Sequence, residues 1–173
     1  MGLLLLFALW SWLALSGSLA PLDHFFLNFT SENVFWKLIT EAGDYRVLSA
    51  LALVFLPSLK KEEQERIGYG FVSLAILVDV LKNILKRPRP IPSITYAYPS
   101  GHSTLGFFLY FNLYRVYRKR KFAPLFLLLS ILVPLSRIVL GVHWFSDVVG
   151  GVLLAFVGQC FMEERYLKRE KEK

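Results

Sequence analysis

An all-α, six-transmembrane helix bundle is the architecture this sequence predicts, and three observations carry it. The 173-residue chain is 55% hydrophobic and 16% aromatic, above the roughly 45–50% apolar content of soluble domains, and its mean hydropathy is +0.47. Its apolar residues gather into runs long enough to cross a lipid core. Its Lys and Arg residues fall between those runs rather than along one stripe of a soluble fold. The length suits a single domain over residues 1–173.

Six spans follow in order. Each is helical because lipid leaves backbone N–H and C=O groups no partner outside the segment. Met1–Ala20 carries no charged side chain and has about the 20 residues that cross roughly 30 Å of hydrocarbon. No Lys or Arg precedes it, and it exceeds the apolar core of about 7–15 residues in a signal peptide, so a retained anchor is expected over a cleaved leader. Tyr45–Leu59 is short and is expected to reach back toward Lys37–Asp44 or to tilt little. Ile67–Leu85 comes next. Gly101–Tyr117 starts behind Ser100, a natural N-cap. Phe122–Leu140 and Phe145–Met162 complete the bundle.

The formal net charge is +7, which admits either nucleic acid or an anionic membrane as partner. The apolar runs favour the membrane, and no nucleic acid is expected. Lys60, Lys61 and Arg66 link spans two and three. Arg115, Arg118, Lys119, Arg120 and Lys121 link spans four and five, and Arg165, Lys168, Arg169, Lys171 and Lys173 follow span six. All three groups fall on one side, which the positive-inside rule makes cytoplasmic. The other side receives Pro21–Asp44, Lys86–Ser100 and Gly141–Trp144. The second of these breaks the charge rule, with Lys86, Arg87 and Arg89 facing outward behind Lys82. Pro88, Pro90, Pro92 and Pro99 stiffen it and keep it out of helix. A rigid, basic, outward loop suggests an anion site. The single cysteine, Cys160, cannot form an internal disulfide, and no zinc-ligand spacing is present.

Three polar clusters stand at the outer ends of the spans. Lys82 precedes Arg89-Pro90 by seven residues. Pro99-Ser100-Gly101-His102 opens span four. Ser136-Arg137, His143 and Asp147 bracket the link between spans five and six. Lys82, Arg89 and Arg137 supply three cations, and an arginine fork can hold two phosphoryl oxygens. The N–H groups of Gly101 and His102 point outward from a positive helix end, and Gly101 lets an oxyanion approach the backbone. His143 and Asp147, four apart, share a helix face. A carboxylate on one imidazole nitrogen orients the ring and stabilises its charged form. The other nitrogen is then free to attack phosphorus, and His102 can protonate the leaving oxygen.

Taken singly, each cluster has an ordinary explanation: an intramembrane arginine snorkels, Asp147 caps a helix, and Pro-Ser-Gly-His is a common helix start. Two of the three histidines beside three cations on one face make the joint structural explanation a poor one. His24, without such neighbours, reads as structural. Asp79 shares a helix face with Lys82 and is a secondary candidate for positioning its ammonium. Tyr96 and Tyr98 are secondary candidates for lining a headgroup entrance. Glu41, Asp44 and Arg46 are candidates for the rim.

These residues resemble the type 2 phosphatidic acid phosphatase superfamily. Its pattern is Lys, six residues, Arg-Pro; then Pro-Ser-Gly-His; then Ser-Arg, five residues, His, three residues, Asp. Every position is matched in order from Lys82 to Asp147, a far more specific signal than one short motif. The resemblance covers spans three to six. It implies that His143 is the nucleophile and forms a phosphohistidine, that Asp147 orients it and that His102 is the general acid. It implies phosphate binding by Lys82, Arg89, Ser100, Gly101 and Arg137, with no metal and no cofactor. The same helical core houses soluble vanadate-dependent haloperoxidases, which six apolar spans argue against.

The resemblance implies a phosphorylated lipid as substrate. Small bacterial members make lipid A 1-phosphate the first expectation, with undecaprenyl diphosphate or phosphatidylglycerol phosphate close behind. It also implies the bacterial inner membrane, with the site toward the periplasm or outside. Nothing in the sequence speaks to oligomeric state. The rival from another class is a non-catalytic anion-binding transporter or scaffold. Transporters usually bind near the midplane on broken helices within a repeated architecture, and no internal repeat is visible here.

Overall fold

The computed structural model describes residues 2–171, and these form eight α-helices and one 3-10 turn. In chain order they are α1 (Gly2–Leu15), α2 (Ala20–Leu27), α3 (Val34–Glu41), α4 (Tyr45–Phe55) with its 3-10 extension (Leu56–Ser58), α5 (Lys61–Leu85), α6 (Gly101–Tyr117), α7 (Ala123–Val139) and α8 (Phe145–Lys171). The starts of α4, α6 and α8 fall where the sequence places them. Side-chain caps account for several starts. Asn33 accepts from Phe35 N–H at 2.8 Å, and Asp44 from Arg46 N–H at 2.9 Å. Ser100 caps α6 by accepting from Ser103 N–H at 3.4 Å and Ser103 Oγ at 2.8 Å. Each satisfies donors that a helix start leaves orphaned.

The first expected span is corrected. Met1–Ala20 is not one straight helix: α1 ends at Leu15, and α2 departs at 76°. Gly17 sits in the break at φ +81°, open to space on its Cβ side, a conformation glycine adopts without steric cost. Fourteen residues rise about 21 Å, short of the roughly 30 Å core. Two helices, Lys61–Leu85 and Phe145–Lys168, are long and apolar enough to cross a membrane alone, and the bent α1–α2 pair makes a third if taken as one span. Tyr45–Ser58 and Ala123–Val139 are apolar but shorter. The Pro21–Asp44 segment, expected as a link, folds into the short helices α2 and α3.

Helix α6 is the hub, packed on α7, α8, α5 and α4. Its Phe108, Leu109 and Leu113 join Leu48, Ile67, Leu74, Val133 and Leu154 in one core. Leu53, Val54 and Ile84 instead point outward at 77%, 70% and 68% exposure. An apolar rind around a packed core is what a lipid-facing surface requires and what soluble monomers avoid.

The helices alternate so that one end of the bundle collects the C-termini of α5 and α7 and the N-termini of α4, α6 and α8. The polar signatures lie there. The opposite end gathers the basic residues around Lys60, Arg66 and Arg115–Lys121. There Ser58 bonds Tyr117 Oη at 2.6 Å, and Arg66 donates to Asn112 Oδ1 at 3.1 Å.

Candidate active site

His143 occupies the five-residue corner between α7 and α8. Gly141 turns that corner at φ +65°, and a Cβ there would meet Thr30 Cγ2 at 2.9 Å. The ring is 2% exposed. Its Nδ1 lies 3.3 Å from Asp147 Oδ2, which also accepts Trp144 N–H at 3.0 Å. Burial pushes His143 well below the usual imidazole range, helped by the positive charges of Arg89, Lys82 and Arg137 and by His102. The imidazole is therefore held neutral at neutral pH, the form with a free lone pair.

The cations reach this corner from three directions. Arg89 donates through Nη1 to the carbonyl of Val142 at 3.2 Å, tying its loop to the residue before His143. Its Nε and Nη2 hold Thr95 O at 3.0 Å and Thr95 Oγ1 at 2.8 Å. Lys82 Nζ donates to the carbonyls of Tyr96 at 2.6 Å and Ala97 at 3.4 Å. Arg137, in the last turn of α7, donates to Thr40 Oγ1 of α3. Its Nε is buried without a protein acceptor, the only such side-chain atom among the described residues. Buried donors are normally satisfied, so this one is suited to an anionic oxygen.

The start of α6 closes the site. Ser100 N–H donates to Asp147 O at 3.1 Å, which locks the α6 N-terminus against the first turn of α8. His102 acts electrostatically on His143 and rests against the α3–α4 link, where a Cβ on Gly43 would meet its Cδ2 at 3.2 Å. A Cβ on Gly101 would meet Val78 of α5 at 3.5 Å, an ordinary contact. The tight helix–helix approach here is at Gly151 of α8, whose Cβ would lie 2.7 Å from Ser100 O.

One secondary candidate is corrected. Tyr98 does not line an entrance: it is 0% exposed and shares a 2.7 Å hydrogen bond with Ser11 Oγ of α1. Burial pushes its phenol up to about 12, so it stays neutral. Asp79 is exposed on α5, and the hydrogen bonds of the Lys82 ammonium go to loop carbonyls. Asp44 caps α4, paired with Arg46 at 3.0 Å.

Four residues escaped the sequence reading as members of the site. Arg87 donates from Nη1 to Asp147 Oδ1 at 2.5 Å and from Nη2 to Asp23 Oδ2 at 2.7 Å. Ser146 lies between the two carboxylates, and Thr40 holds Arg137. Arg87 left one signal, a cation on the side that positive charge avoids. Asp23 and Thr40 left none, because their partners are far away in sequence.

The family model described as the PAP2 superfamily matches residues 66–169. Phosphatidylglycerophosphatase B of Bacillus subtilis is 31% identical over 116 residues, 57% of this chain and 56% of that protein. An uncharacterized protein of Methanocaldococcus jannaschii is 30% identical over 77 residues, 44% of this chain and 31% of that protein. The matched region thus spans about half or less of these relatives' lengths. A crystal structure titled as the first transmembrane PAP2 type phosphatidylglycerolphosphate phosphatase, from Bacillus subtilis, superposes with a TM-score of 0.71 at 22% identity, covering 94% of this chain and 95% of the other. That likeness bears on the fold.

Proposed function

Because this chain belongs to the PAP2 superfamily, we propose that it is an integral membrane lipid phosphatase acting through a phosphohistidine at His143. The observation that carries this reading is the buried neutral imidazole beside Asp147, ringed by Lys82, Arg89 and Arg137, with one buried guanidinium N–H unsatisfied. Lys82, Arg89, Arg137 and the N–H groups of Gly101 and His102 hold the phosphoryl oxygens. With Nδ1 facing Asp147, Nε2 of His143 attacks phosphorus. The bond to the leaving oxygen breaks as His102 delivers a proton to it. Water then attacks the phosphohistidine while His102 takes a proton from the water, releasing phosphate and restoring both imidazoles to their starting states. The charge that develops on the imidazole is stabilised by Asp147. The chemistry is assigned to side chains alone, so activity is expected to survive chelators. Vanadate, a mimic of five-coordinate phosphorus, is expected to inhibit.

The site end is assigned to the extracytoplasmic face of a bacterial inner membrane, since the opposite end carries the Arg115–Lys121 cluster. The bent α1–α2 pair, α4 with its 3-10 turn, α5, α6, α7 and α8 are assigned as six spans; α4 with its 3-10 turn (Tyr45–Ser58) is shorter than the core and needs a locally thinned bilayer. At about 26 Å, the 17 residues of α6 fall at the lower limit for spanning. Of the substrates weighed, phosphatidylglycerol phosphate is preferred. The names of the Bacillus relatives favour it over lipid A 1-phosphate, the sequence's first expectation.

The test is phosphate release by purified protein in detergent over phosphatidylglycerol phosphate, lipid A 1-phosphate, undecaprenyl diphosphate and phosphatidic acid, with His143→Ala as control. Hydrolysis of one class by wild type and none by the variant is the expected result. A wild-type protein silent toward all four defeats the proposal. A His143→Ala protein that still binds but does not hydrolyse separates an enzyme from an anion-binding scaffold.

A further inference from the structure

Helix α2 lies outside residues 66–169, yet it delivers a buried carboxylate to the back of the site. Asp23, in its first turn, is 2% exposed. It accepts from Ser146 N–H at 2.8 Å, Ser146 Oγ at 2.7 Å and Arg87 Nη2 at 2.7 Å. Arg87 faces the other way through Nη1, reaching Asp147 Oδ1 at 2.5 Å and Ser146 Oγ at 2.7 Å. One guanidinium therefore bridges two buried carboxylates, and only Asp147 faces His143.

The charges explain why a second carboxylate is useful. Arg87 and Asp147 alone would cancel. His143 would then develop its positive charge among Lys82, Arg89 and Arg137 with no net counter-charge behind it. With Asp23 included, the buried trio carries one net negative charge, which a phosphorylated, positively charged imidazole neutralises. Arg87 still holds Asp147 in place, because a forked donor fixes both distance and plane. Resting on the phosphohistidine reading above, we propose that Asp23 and Arg87 are positioning residues. Arg87 orients Asp147, and Asp23 absorbs the charge of Arg87 so that the charge of Asp147 stays available to His143. The bend after Leu15 carries Asp23 to this place, which gives the broken first helix pair a role in the chemistry.

Neither residue touches substrate in this account, so the rate of phosphoryl transfer should fall while KM stays near wild type. Single-turnover phosphate release with the enzyme in saturating excess measures that rate independently of any unfolded fraction. Asp23→Asn is expected to lower it on the order of 10- to 100-fold, with Asp23→Glu recovering a large part. Arg87→Lys keeps the charge but loses the fork and is expected to fall similarly. It also serves if Asp23→Asn does not fold. A wild-type single-turnover rate in folded Asp23→Asn or in folded Arg87→Lys overturns the proposal, as does a fall in KM-dependent binding alone. Acid-quench labelling of wild type with ³²P-substrate separates the two levels: no label on His143 refutes the underlying reading, whereas label with unaffected variants refutes only this inference.

Discussion

At the scale of single residues, the site depends on a histidine kept neutral by burial and by neighbouring cations. The unfolded imidazole takes up a proton near pH 6.5, while the buried one resists it. Below about pH 6.5 the unfolded state therefore binds more protons, and stability falls with pH until the lowered native value is reached. The thermal midpoint of the wild type is expected to drop between pH 7.5 and 5, and that of His143→Ala to drop less over the same range. Arg137 offers a second test. Its guanidinium is held by Thr40 with one nitrogen still free, so Arg137→Ala is expected to lower kcat by about 10²–10³ as a lost transition-state donor would. Gly101→Ala is the contrasting case. Its Cβ finds ordinary room beside Val78, so the thermal midpoint should stay near that of wild type.

At the scale of helices, the approach of α8 to α6 sets the site geometry. A Cβ at Gly151 would collide with the carbonyl of Ser100 and, at 3.0 Å, with Thr104 Oγ1. Backbone cannot move aside as a side-chain tip can. Gly151→Ala is expected to cost about 1–3 kcal/mol, the usual range for overpacking, read as a lowered thermal midpoint, and to lower kcat because Ser100 shifts. Helix α5 ends on Lys86 in the left-handed region at φ +49°. That turn directs Arg87 inward to Asp147. A non-glycine residue there costs about 1–2 kcal/mol, partly offset by glycine's greater freedom when unfolded. Lys86→Gly is thus expected to stabilise the fold by about 0.5–1 kcal/mol, read as a modestly higher thermal midpoint, without loss of activity.

At the scale of the whole molecule, charge asymmetry and site position make one prediction about orientation. With Cys160 replaced by Ser, a cysteine at Ile94, fully exposed on the site-end loop, should react with a membrane-impermeant thiol reagent in intact cells. One at Lys119, at the opposite end, should react only after permeabilisation. The reverse pattern would place the site in the cytoplasm.

Much of this was legible in the chain itself, because hydropathy, caps and motif spacing are local properties. Ser100 marks the start of α6, the charge-free run announces α1, and Lys82, Arg89, His102, Arg137, His143 and Asp147 mark the proposed site. Tertiary packing alone decided the rest. Asp23 meets Arg87 across 64 positions and Ser146 across 123, and no periodicity encodes such pairings. Tyr98 looked like an interfacial tyrosine and became a buried strut between α1 and α8, since only the packed bundle determines which face of a loop is inside. The break after Leu15 follows the same logic: composition makes residues 1–20 apolar and Gly17 permits a turn, but only the packed bundle shows that α2 departs so as to set Asp23 against Arg87.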